Sequence, residues 1–461
     1  MTLSRDLVRR WMALRDSDVP ASARAIARLH LADVVGAGLA AASLPQGAPY
    51  LRFARAQASA RGVATLAGER LADPATAAMV DGGLIHSLEF DDTHAASIIH
   101  GGAVVAPTAL ALAQALGAPF ERALHAYLLG YETLILLGLA APGAFQAKGF
   151  QVTSVAGPMA AALVACELLD ADEDVRVNAV GIALSQGAGV FEFLANGASV
   201  KSLHPGWAAH AGIIAARLAM AGLTGPETAL EGARGLYASF AGETQAPTRL
   251  AALIEGLGKV WRIEEVAFKF LPCCHYLHPF VEAAGEIAAR VAPERIDAIT
   301  LSIAAGAAPV VCEPWDTKIA AKDGHAMRWS LPLVVAERLL GRDVGHAFFA
   351  APPQADALAL TRRMRWTPVE PNRFPQAFEA SIACRLDDGE TIERRVADVY
   401  GNPSRPAALA DVLAKFRANA SRALTPDRAR ALEQVFFAGG SGAVSAYGAA
   451  LSPRSVEGVP P

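Results

Sequence analysis

This 461-residue chain reads as mainly α: a large all-α helical domain with a smaller α+β lid. Three observations lead there. Helical apolar spacing dominates residues 1–260, alternating strand-like runs are confined to 261–401, and helical spacing returns over 402–450. The expected helical domain is therefore discontinuous, 1–260 with 402–450. The lid is 261–401, and 451–461 reads as a loose tail.

In the first helical block, Ser22 is expected to cap a helix carrying Ile26, Leu29, Leu31, Val34 and Val35. A second helix is expected from Pro107, placed in the first turn where its missing N–H is harmless. Further helical runs start near Ala123, Gly157, Val175 and Trp207, rich in alanine and glycine, which permits close-packed axes in a bundle. His204 precedes Pro205, which predicts an extended turn there. In the lid, residues 295–305 alternate like a half-buried strand. Residues 375–401 hold two alternating runs around Asp387, Asp388 and Gly389, a hairpin pattern. Helices are expected near 330–340, 344–349, 406–419 and 425–437, and the glycine-rich 438–443 stretch reads as a loop.

Composition narrows the function classes. Hydrophobic residues make up 53% and charged residues 19%, and the net charge is -4, so a dense globular protein is expected. Basic residues form no runs, which disfavours nucleic acid. No targeting segment or membrane span is expected, since apolar stretches are broken by residues such as His210 and Arg217. Five cysteines without CxxC spacing point to a reduced, cytoplasmic protein, with Cys273 and Cys274 as buried filler.

Chemistry-bearing residues gather in three segments. The first, LIHSLEFDDTHAASIIHGG, sets Glu89, Asp91, Asp92, Thr93 and His100 in apolar surroundings, where acids are costly unless paired or used. Read for function, His100 is an acid–base or carboxylate-binding group oriented by Thr93 and Asp91. Read for structure, Asp92 and Thr93 make turn and cap bonds around an interior histidine. No HExxH-like spacing supports a metal, and none is expected. The second segment, ASVKSLHPGW, isolates Lys201 near His204; a lysine in apolar surroundings can act as a base or anchor a carboxylate. The third, KFLPCCHYLHP, sits at the domain junction, where Lys269 could clamp a carboxylate and His278 could face the substrate. No GxGxxG, P-loop or GxSxG elbow is present.

These segments, together with GYETL at Gly130 and KGFQVTSVAGPMAAAL at Lys148, resemble the MmgE/PrpD family in their order along the chain. The resemblance implies a helical domain with an α+β lid, usually dimeric, acting without a cofactor on a small di- or tricarboxylate. It implies roles for Asp91, Thr93, His100, Lys201 and His278 around the substrate; Lys201, His100, Asp91 and Thr93 are expected to be catalytic, and Lys269, His278, His204, Gln151 and Glu89 to bind the substrate. The shared chemistry is formation and reprotonation of a carbanion beside a carboxylate. Two positions depart from the family pattern: Glu89 stands for a common aspartate, and Gln151 for the histidine of a GFHPT-like motif. Glutamine can hydrogen-bond but cannot shuttle protons. The resemblance places a 2-methylcitrate-like dehydratase first, an epimerase of a dicarboxylate such as iminodisuccinate second, and a cis-aconitate-type decarboxylase third.

Overall fold

The computed structural model describes residues 1–437, apart from 323 and 376, together with 444–452. The 438–443 stretch and residues 453–461 of the expected tail lie outside the described residues. Leu451 does not belong to a loose tail: it ends the Ser445–Leu451 helix and is buried.

The chain is mainly helical, and its described residues form two large hydrophobic cores and a small third cluster of Ala95, Phe378 and Val399. One large core joins residues from Leu7 to Val266 with residues from Phe416 to Leu451; the other spans Cys273 to Val396. In the first, the Leu203–Met220 helix packs against Val152–Leu168 and Pro74–His86. Small residues make the approach possible. A Cβ added at Gly212 would lie 2.4 Å from the Ala161 Cβ, and one at Gly82 would lie 2.7 Å from the Gly206 Cα. Anything larger would force these axes apart. The Ala21–Ala42 helix is long and apolar enough to cross a bilayer, yet every residue from His30 to Ala41 is buried in the body. Lys415 of Leu409–Ala420 donates to Asp33 of that helix at 2.9 Å and so anchors the returning chain.

Local chemistry explains several helix starts. Asp73 caps Pro74–His86 by accepting from Thr76 N at 2.9 Å, and Asp172 caps Glu173–Leu184 through Val175 N. Other starts differ from expectation. Ser22 is no cap, because Pro20, with its fixed φ, takes the cap position and begins Ala21–Ala42 two residues earlier. Pro107 lies inside Gly102–Leu116, not in its first turn. That helix begins earlier because Asp92, from outside it, accepts the Gly102 N–H at 3.2 Å. His204 is helical, not extended, in the first turn of Leu203–Met220, where Pro205 is tolerated.

The body is not purely helical. β1 (Ala58–Ala64) pairs antiparallel with the short β2 (Arg70–Leu71), on a run too irregular to alternate. The lid sheet has the order β4-β3-β5-β6, where β3 is Ile296–Ala304, β4 Met364–Val369, β5 Ala380–Leu386 and β6 Thr391–Val396. β3 and β5 alternate buried and less buried positions, and β5–β6 is the expected hairpin, with Gly389 in the left-handed region. The parallel partner β4 carries no clean alternation and is not evident from sequence. His278–Ala288 and Leu331–Leu339 pack together beside this sheet.

Asp81 yields a stability prediction. Its carboxylate accepts Leu66 N at 2.8 Å in the core, and burial pushes its pKa up from 3.8 to about 8. A raised carboxyl is fully stabilising below its unfolded pKa, and that contribution is lost as pH rises through the folded value. Asp81→Asn keeps the Leu66 bond without an ionisable group. Its stability relative to wild type should grow by up to about 1.4 kcal/mol per pH unit from pH 4 to 8. Urea unfolding across that range checks this; a pH-independent difference would contradict a protonated Asp81.

Candidate active site

The site forms where residues 87–100 pass between body and lid. Pro74–His86 ends on His86, and a turn places Glu89 in the left-handed region at φ 54. A non-glycine residue there is uncommon and is held by its surroundings. Three cations from distant segments hold three successive carbonyls of this turn. Arg328 donates to Leu88 O at 2.9 Å, Lys269 to Glu89 O at 3.1 Å and Lys415 to Phe90 O at 2.9 Å. Thr93 and Ala267 then exchange backbone bonds of 3.1 and 2.9 Å, stitching the loop to the chain entering the lid.

Lys201 is buried, carried by a 3-10 turn over Ser199–Ser202. The isolation expected for it is absent: its Nζ donates to Glu89 Oε1 at 2.6 Å and lies 2.9 Å from His86 Nε2. His86 Nδ1 is 2.9 Å from Asp91 Oδ2. A carboxylate only accepts, so this bond puts the His86 proton on Nδ1 and leaves Nε2 to accept from the ammonium. His100 Nδ1 lies 3.2 Å from the Asp92 carbonyl, 3.3 Å from Thr93 Oγ1 and 3.5 Å from Asp91 Oδ2. Its proton is likewise drawn to Nδ1, which leaves the Nε2 lone pair for chemistry. Thr153 Oγ1 accepts the His100 backbone N–H at 3.0 Å and fixes the residue from the body side.

Electrostatics separate the roles. Burial opposes ionisation of Glu89, but Lys201, His86, Lys269 and His100 outweigh it and bring the carboxyl to about 2. Asp91 is held well below the usual carboxylate range against its burial, chiefly by its close pairing with His86. Burial keeps His100 well below the ordinary imidazole value despite the pull of Asp91. At neutral pH the cluster thus holds two carboxylates beside a neutral His100 ring.

The structure brings together Lys201, His100, Asp91, Thr93 and Glu89, with Lys269 completely buried beside them. Gln151 and His204 form a pair next to this group: Gln151 Oε1 accepts from His204 Nδ1 at 2.6 Å. Burial, aided by Lys201 and His86, lowers His204 to about 4, so its ring is neutral. His278 is placed apart. Its Nε2 lies 3.4 Å from Cys273 O, and it lines a separate cavity of about 390 Å³ with Phe270 and Tyr400. Cys273 and Cys274 are buried free thiols.

Sequence reasoning missed four residues. His86 was legible as a histidine at a helix end five positions before Asp91, but not as the link between Asp91 and Lys201. Arg328 is fully buried and faces Phe349 at 4.5 Å, and the Trp329 ring lies 4.7 Å from Lys201 Nζ; no motif marks either. His275, three residues before His278, has no hydrogen-bond partner on either ring nitrogen among the described residues. Burial, then His278, Lys269 and His100, lower it well below the ordinary value.

Ligand atoms of His86, Glu89 and His100 lie within 4.8 Å of one another, a spacing that could hold a metal ion. The donor chemistry favours another cation, because the Lys201 ammonium already bonds two of the three. A divalent ion would have to displace it.

Fold and site together define a two-domain protein with an internal acid–base cluster. The MmgE/PrpD N-terminal domain matches residues 5–249 and the MmgE/PrpD C-terminal domain residues 271–436, so the chain belongs to the MmgE/PrpD family. It is 29% identical over 375 residues to the cis-aconitate decarboxylase of Homo sapiens, covering 78% of this chain and 76% of that one. It is 30% identical over 380 residues to the Mus musculus cis-aconitate decarboxylase, covering 78% and 74%. A cis-aconitate decarboxylase-like protein of Aspergillus oryzae is 26% identical over 460 residues, covering 92% of each.

The buried pair yields a stability prediction. Glu89→Ala leaves the Lys201 charge uncompensated and should cost about 3–5 kcal/mol, whereas Glu89→Leu with Lys201→Met should recover most of that. Urea unfolding of the single and double variants measures both. A Glu89→Ala variant as stable as wild type would show that the pair is not desolvated.

Proposed function

We propose that this protein is a carboxy-lyase of a small di- or tricarboxylate, acting by acid–base chemistry of its own side chains. The observation that carries this reading is the Lys201 ammonium, bonded to Glu89 and His86 beside a neutral His100, in a chain whose matched relatives are named cis-aconitate decarboxylases. Two of the three ammonium N–H groups are engaged, and the third is left for substrate. In this reading Lys201 and Lys269 hold the substrate carboxylates. The bond from carbon to one carboxylate breaks, carbon dioxide leaves, and the electron pair stays on carbon, spread into the neighbouring unsaturation. Lys201 protonates that carbon and regains its proton from solvent through His100. Fixed cations around developing negative charge are where such a step gains most.

Dehydration, placed first on family frequency, now ranks behind decarboxylation because of how these relatives are named. Epimerisation remains a second reading, favoured by Gln151. Paired with His204, it fixes that ring without carrying a proton, which leaves Lys201 and His100 as the two groups that an epimerase needs. Five buried free cysteines support a cytoplasmic setting, and a homodimer is the assembly we propose.

The test is incubation with cis-aconitate in deuterated water, followed by carbon-13 NMR. Carbon dioxide release with one deuterium in the product is expected, and Lys201→Ala should lower the rate by about 10²–10⁴-fold. In a parallel incubation with a chiral dicarboxylate, deuterium in the recovered acid without carbon dioxide release would assign an epimerase. Full activity of Lys201→Ala would remove the lysine from the mechanism.

A further inference from the structure

A cavity of about 490 Å³ opens directly beside the acid–base cluster, and neither the proposed chemistry nor the family match accounts for it. Its wall includes His204 and Ser154, with Val200 from the turn that carries Lys201 and Leu203 just after that turn. Gly189 closes the inner end with φ +111; a Cβ there would lie 2.5 Å from Ser154 Oγ and 3.2 Å from His204 Nδ1. The rest of the wall is mostly apolar, with Val190, Phe193 and Trp207, and is interrupted by Glu192 and Asn196. Val190, Val200 and Trp207 are 51%, 48% and 37% exposed, unusual for such side chains gathered around one opening.

Charge decides what this cavity can take. Among the described residues lining it there is no lysine or arginine, and its one acid is Glu192. His204 gives its Nδ1 proton to Gln151, and its ring is neutral. A carboxylate placed here would meet Glu192 and no cation, and would lose its hydration without replacement. An alkyl chain would meet valine, leucine, phenylalanine and tryptophan.

We propose that this cavity receives an uncharged alkyl substituent of the substrate, so that a carboxylate substrate bearing an alkyl chain binds more tightly than the same acid without one. This rests on the reading that Lys201 and its neighbours bind a carboxylate substrate, and it names the substrate class for that site. The exposure of Val190, Val200 and Trp207 follows, because a chain lying between them would complete their burial.

Calorimetric titration of the full chain with two unreactive probes tests it: succinate and 2-butylsuccinate. A fully buried methylene is worth about fourfold in affinity. With the chain partly open to water, 2-butylsuccinate should bind at least about tenfold tighter than succinate. Val190→Asp and Trp207→Gln, both at exposed positions, should each remove most of that advantage and leave succinate affinity within about twofold. Lys201→Ala should weaken both probes, which excludes adsorption of the alkyl chain elsewhere. Equal binding of succinate and 2-butylsuccinate, with Lys201 dependence intact, overturns the alkyl subsite and leaves the carboxylate site standing. So does a butyl advantage that survives both wall variants. If neither probe binds, or binding ignores Lys201, the carboxylate reading fails and this inference with it.

Discussion

Lys201 and Glu89 meet across 112 residues of chain, and both are withdrawn from water. Each charge loses several kcal/mol of hydration on burial, and mutual attraction restores that only in good geometry with the remaining donors and acceptors engaged. The surroundings read as the means of satisfying that condition. His86 takes a second ammonium N–H, Asp91 holds His86, and the left-handed backbone at Glu89 aims its carboxylate at Nζ. A strained residue and a buried ion pair are each costly alone, but here each is the condition for the other.

The loop that carries Glu89 lies in the N-terminal domain but is held largely from outside it. Its carbonyls at 88, 89 and 90 are taken by Arg328 from the lid, Lys269 from the junction and Lys415 from the returning C-terminal helix. The Asp92 side chain caps the body helix that begins at Gly102. Lid, junction and both parts of the discontinuous body therefore converge on one short turn. A shift of any of them would reach the Lys201–Glu89 pair through a single hydrogen bond. The close-packed body supplies the rigidity this needs, because helices touching through glycine and alanine have little room to slide.

Neutral and charged groups are sorted by position within this frame. Carboxylates with close partners stay ionised despite burial, Glu89 chiefly through Lys201 and Asp91 chiefly through His86, whereas burial keeps the imidazoles of His100 and His204 uncharged. Gln151 fits the pattern: opposite a neutral His204 it supplies a fixed acceptor, and no second titrating ring is introduced. The largely apolar cavity beside His204, whose lining holds no lysine or arginine among the described residues, continues this cation-free side of the site.

Much of this was legible in the chain alone. Helical spacing, the 387–389 turn and the acids set among apolar residues are local patterns, and local patterns survive being read one segment at a time. They were enough to mark Lys201, His100, Asp91, Thr93, Glu89 and Lys269 as members of one site. What they could not show was pairing. Lys201 looked isolated because Glu89 lies far off in sequence; Gly102 gained a cap from an aspartate ten residues away. His278 was expected to face the substrate, yet it lines a separate cavity, with the His275 ring packed against it at 4.8 Å. Arg328 and Lys415 carried no motif at all. Periodicity and composition act over a few residues, whereas charge partners, helix caps of this kind and cavity walls are chosen by which distant segments pack together.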